Sequence, residues 1–122
     1  MDDVELAIPQ TLAENLPEGS EETLQAMQRE INQYERYINS AAADGDGPAA
    51  AADVVERLED RWEQYDGYIV ELRAWGQSSI YAEVWCDFQY ALIRQLLDHE
   101  GIGDELQREQ HHRLVEDGIR MS

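Results

Sequence analysis

The sequence predicts an all-α protein, and three observations lead there. Two stretches repeat apolar residues at alternating spacings of three and four: Leu24, Met27, Ile31, Tyr34, Ile38, Ala41, and then Ala51, Val55, Leu58, Trp62, Tyr65, Ile69, Leu72. That is the seam of a helix packed along one face. A third stretch, 79–99, is the most apolar of its length and confines Glu83, Asp87, Arg94 and Asp98 to one stripe at the helical repeat. The breaks between the three are rich in glycine, proline and serine. The expected architecture is an antiparallel hairpin of two long helices, packed with a central apolar helix and a short C-terminal helix, like a four-helix bundle. The alternative is an α+β fold with a β-hairpin around 68–90, because Ile80, Ala82, Val84, Cys86, Phe88 and Tyr90 also alternate with period two.

Residues 1–19 form an N-terminal arm. Pro9 suits the first turn of a short helix ending near Asn15, and Pro17, Glu18 and Gly19 break the chain. Val4, Leu6, Ile8, Leu12 and Leu16 give the arm enough apolar surface to dock on its own bundle or on a second subunit. A single helical domain spans 20–118. Ser20 is a suitable N-cap, with Glu21 and Glu22 at the positive end of the first long helix, which runs to about Ala43. Residues 43–48, ADGDGP, are the clearest loop. The second seam passes unbroken through Asp66-Gly67, so Gly67 is a mid-helix glycine, a place for close packing. Residues 76–79 end that helix and cap the next, which reaches His99. Gly101 and Gly103 break the chain again. Asp104 caps a final helix with Leu106, Gln110, Leu114 and Val115 inward and Gly118 at its end. Residues 119–122 are a tail.

The charge balance is unusual. Of 122 residues, 27 are acidic and 9 basic, a formal net charge of −18, and all nine basic residues are arginine. The acidic residues are spread over the whole chain. Together with the missing lysine, this composition resembles proteins of salt-in halophilic archaea, where a Debye length near ~3 Å screens self-repulsion among surface carboxylates. The acidity then reflects habitat rather than a partner. It disfavours nucleic acid, whose phosphates need a basic patch, and the arginines are dispersed along the chain. No apolar run approaches a membrane span and no leader pattern opens the chain, so a cytoplasmic protein is expected. The single cysteine, Cys86, excludes an intrachain disulfide and reads as a small buried hydrophobe.

Three clusters bear on chemistry. Glu56-x-x-Glu59 is similar to the first half of the paired motif of helical pyrophosphohydrolases of the MazG kind; Glu83 and Asp87 are spaced by four where the second half has three. Independently of that resemblance, carboxylates four apart on a buried helix, Glu83 and Asp87, can ligate Mg²⁺ or Mn²⁺ if a second helix supplies a partner such as Glu59 or Glu63. Arg94-x4-His99 resembles the Arg-x4–6-His motif of HEPN ribonucleases, which implies His99 as the acid/base. Glu109-x-x-His112 is half of the motif of ferritin-like carboxylate-bridged sites, and no second copy is present. Against each stands a plain alternative: solvated carboxylates, Arg94 paired along its own helix, and surface histidines.

No phosphate loop, nucleophile elbow or zinc-type cysteine pair is present. The leading expectation is a non-enzymatic protein that acts by helix-mediated association, most simply as a homodimer, with no cofactor. The reason is a surplus of aromatic residues: three Trp and six Tyr in a chain of this size. Not all fit inside a small helical core, and exposed aromatics mark interfaces. Trp62, Trp75, Tyr81 and Trp85 are the expected interface residues. The alternative is a small metal-dependent hydrolase or a HEPN-like ribonuclease.

Overall fold

In the computed structural model, residues 3–14, 16, 20–99, 102, 103 and 106 are described. Four helices follow one another: α1 (Gln10–Glu14), α2 (Glu21–Ala43), α3 (Gly47–Ala74) and α4 (Ile80–Asp98). There is no strand among the described residues. The β-hairpin alternative for 68–90 is overturned: both of its halves are helical. α4 is buried over so wide an arc that Ala82, Val84, Cys86 and Phe88 all fall within it, and this produces the period-two pattern without a strand. The expected final helix lies outside the described residues apart from Leu106, which is buried as expected.

α2 and α3 form the antiparallel hairpin. The seam of α2 buries Met27, Ile31, Tyr34 and Ile38. Its C-terminus closes on Gly45, at φ +85°, with Gly45 N–H on the Ala42 carbonyl (3.0 Å) and Asp46 N–H on that of Ala41 (2.8 Å). This paired closure satisfies two orphan carbonyls and needs the left-handed backbone that glycine tolerates. The expected loop reached Pro48, but the observed connection is only 44–46. Gly47 and Pro48 already belong to α3, because the first helical turn needs no N–H from proline. Ser20 precedes α2 as expected, although its side chain does not make the capping bond.

In α3, Ala51, Val55 and Leu58 are fully buried, while Trp62, Tyr65, Ile69 and Leu72 are only partly so. The hairpin register explains the gradient. Tyr37 faces Asp53, and Glu30 faces Arg61. At that register the start of α2 lies level with Ile69, so the end of α3 outruns its partner. Gly67 does not serve close packing: a Cβ there would meet nothing within 4 Å. α3 ends on Gly76, at φ +70°, with the same paired closure onto Arg73 and Leu72. The chain then turns back into α4.

α3 packs along both α2 and α4, and α1 rests on α4. α4 carries nine buried residues, including Phe88, Leu92, Ile93 and Leu96, more than any other helix. Its polar stripe faces outward, where Arg94 pairs with Asp98 one turn on at 3.6 Å. Gly103 is required sterically, since any Cβ there would collide with the Leu97 carbonyl.

The N-terminal arm docks on its own bundle. Val4 and Leu6 point inward two residues apart, as in an extended strand. With no sheet to receive it, the backbone is held by side chains. Asn39 accepts from Val4 N–H (2.8 Å) and donates to its carbonyl (3.2 Å). Gln95 does the same for Ala7, at 2.9 and 2.8 Å. Glu35 accepts from Leu6 N–H at 2.8 Å. The arm thus ties α2 to α4.

Candidate functional site

The free end of the α3–α4 hairpin carries a groove of about 430 Å³ whose walls are mainly aromatic: Tyr65, Tyr68, Trp75, Tyr81 and Trp85, with Leu72 and Glu71 beside them. It exists because α3 outruns α2. The side of α3 that α2 covers near the loop is bare here, yet the sequence continues its apolar seam. Trp75 is 80 % exposed, Tyr81 49 % and Tyr68 43 %. Large rings this open to water, side by side, form a contiguous apolar patch.

The patch is anchored to the core by a chain of ring contacts. Tyr68 meets Tyr65 edge-on (5.5 Å between centroids, 87°), Tyr65 stacks on Trp85 (5.9 Å, 17°), and Trp85 meets buried Phe88 edge-on (5.5 Å, 88°). Offset and edge-on arrangements are those the ring quadrupoles favour. Arg61 lies over the same rings, 5.5 Å from the Trp85 centroid and 6.0 Å from that of Tyr65. This cation–π contact orients the stack. The surface is therefore pre-formed on one side and open on the other.

Of the four expected interface residues, Trp75, Tyr81 and Trp85 line this groove. Trp62 does not; it packs against the core, and its carbonyl accepts the Cys86 thiol at 3.7 Å. Tyr65 contributes a wall although its seam position reads as core. It is only half-buried, with one side of its ring on Trp85.

The catalytic and metal candidates are placed apart. Glu59 is buried on α3. Glu83 accepts from Arg73 (2.8 Å) and from the Ser79 hydroxyl (2.9 Å). Asp87, one turn on, faces a shallow groove beside α1 with Thr11 and Tyr90. Desolvation, and then the nearby Glu83 charge, raise the Asp87 carboxyl above its usual range. Among the described residues no three His, Cys, Asp or Glu side chains are placed to hold a metal ion together. Arg94 turns to Asp98. His99 caps the end of α4, with its Nδ1 buried and no partner to it among the described residues. Glu109 and His112 lie outside the described residues.

Cys86 is buried, and desolvation pushes its thiol up to about 12, with Asp66, Asp87 and Glu83 adding to the shift. The thiol stays protonated across neutral and mildly alkaline pH. Labelling by a thiol reagent at pH 8 is expected to run at least ~100-fold slower in the folded protein than in urea. Native labelling at the rate of the unfolded chain would contradict this burial. Because the folded pKa lies above the unfolded one, the thiol's contribution to stability is complete below about 9 and lost as the pH rises toward about 12.

The sequence model of a family of unknown function, DUF7971, matches residues 1–122. No curated protein and no solved structure matches the chain. Among the described residues, no helix is long and apolar enough to cross a membrane.

Proposed function

We propose that this chain, which belongs to the DUF7971 family, is a non-enzymatic association protein that works as a homodimer through the aromatic end of its α3–α4 hairpin. One observation carries the reading: Trp75, at 80 % exposure, stands beside Tyr81, Tyr68 and Trp85 around a pre-formed groove. Aromatic side chains bury much area at little entropic cost, so they dominate interface energies. A second copy is the simplest partner, because the same patch serves both sides of a two-fold interface.

Charge sets the conditions. Two chains of −18 each repel at low salt. At molar salt the repulsion is screened within ~3 Å, while burial of the rings is not weakened. The acidic composition without lysine supports a salt-in halophilic cytoplasm as the setting in which the dimer forms.

Light scattering behind size exclusion is the test, in ~3 M KCl and in ~0.2 M, chosen to span the screening range. A dimer in high salt that loosens in low salt is expected. The variant carrying Trp75→Ala and Tyr81→Ala is expected to dimerise about tenfold more weakly or worse while keeping the parent's thermal unfolding. A parent that is monomeric in both salts, and is stabilised by Mg²⁺ or Mn²⁺ through Glu83 and Asp87, would favour the hydrolase reading instead.

A further inference from the structure

The arginines, dispersed in sequence, are not dispersed in space. The hairpin register sets Arg29 of α2 near Arg57 and Arg61 of α3, and the last two are one turn apart on the same face. All three line one concavity of about 400 Å³ between the helices. It continues, through Gln33, Tyr34 and Arg57, into a neighbouring one that also reaches Tyr37 and Asp53. In a chain with three acidic residues for every basic one, three guanidiniums gather around one groove.

The acids of the groove are already engaged. Glu30 accepts from the Tyr34 hydroxyl (2.6 Å) and pairs with Arg61. Asp53 accepts from the Tyr37 hydroxyl at 2.9 Å. Between these two cross-links Arg29 and Arg57 have no ion-pair partner among the described residues. Arg57 lines both concavities, and so stands where the two join.

We propose that this α2–α3 groove binds the oxyanion of a small molecule, a phosphate or a carboxylate group, between Arg29 and Arg57 with the Gln33 amide as a further donor. Two planar forks present donors in the geometry such groups accept, and charge-assisted bonds of this kind are the stronger class. The volume suits a small metabolite. A polymer is disfavoured because the surrounding chain, at −18, repels an extended polyanion. The concavity adjoins the aromatic face, since Trp85 lines both and Arg61 lies over its ring, but the proposed anion contacts, Arg29, Arg57 and Gln33, do not line the aromatic groove.

The test is calorimetric titration of the full chain with inorganic phosphate and, separately, with citrate, each against KCl at equal ionic strength. Saturable binding is expected, weakened about tenfold by Arg57→Gln or Arg29→Gln and abolished in the double variant. Arg94→Gln, on the far stripe of α4, should leave it unchanged. Phosphate binding with no citrate response assigns the phosphate class, and the reverse assigns the carboxylate class. Equal binding by the double variant would overturn the site, as would equal loss in Arg94→Gln. So would no response to either anion in the parent, together with a dimer weakened by the double variant, since the groove would then be a protein contact.

Discussion

Phe88→Ala is expected to lower the free energy of unfolding by about 3–5 kcal/mol, the range for removing a buried aromatic ring. Phe88, on α4, is the largest of the fully buried side chains. Its removal takes away the transfer free energy of the ring and leaves a cavity that neighbouring helices fill only partly. A second consequence sets it apart from other core truncations. Trp85 rests edge-on against Phe88 and itself supports Tyr65, so the cavity undermines the aromatic groove from below. Urea unfolding should show a lower midpoint with an unchanged slope. Near-UV circular dichroism should show weakened aromatic bands even well below the midpoint. A loss under about 1 kcal/mol would mean that the ring is not at the centre of the core. The contrast is Trp75, which is larger but exposed, and whose truncation should change association and not folding.

The next residue along carries the opposite sign. Gln89→Met is expected to stabilise the fold by about 1–3 kcal/mol. Gln89 is fully buried, and neither its Nε2 nor its Oε1 has a hydrogen-bond partner among the described residues. A carboxamide taken from water without replacement bonds costs about that much, because both its donor and acceptor lose solvation. Methionine has a similar length and an adaptable shape, so it fills the space without the polar cost. Thermal and urea unfolding of the pair would read the change directly. A destabilised Gln89→Met would show that the amide is satisfied in solution, for instance by buried water.

Much of the fold was legible because helices announce themselves locally. The two seams located α2 and α3 to within a residue or two at most ends, and Gly45 and Gly76 stand where left-handed closures are needed. The β alternative arose because periodicity is ambiguous for a helix buried over a wide arc: Ala82, Val84, Cys86 and Phe88 look the same in both. Polar residues in such a stretch were the decisive clue, and one of them misleads. Glu83, Asp87, Arg94 and Asp98 mark the outer stripe, whereas Gln89, equally polar, is inside. Nothing in composition distinguishes it, since burial of a single amide is decided by neighbours.

The candidate sites divide in the same way. The excess of Trp and Tyr is a property of the sequence, and three of the residues it singled out, Trp75, Tyr81 and Trp85, line one groove. The same excess placed Trp62 with them and overlooked Tyr65, because which seam residue of α3 borders the groove depends on how α3 packs against α4. The arginine groove could not be read from spacing in one helix. Arg57 and Arg61 are one turn apart, but Arg29 joins them only once the hairpin register is set.

By itself, then, the sequence determined the helices, their order, the turns between them and the acidic surface, because each follows from local periodicity, backbone preference and composition. Tertiary structure alone decided that the arm docks in cis, that Gln89 is buried, that the rings meet at one open end and that three arginines share a groove. Those outcomes depend on register and on unequal helix lengths, which are relations between segments and belong to none of them singly.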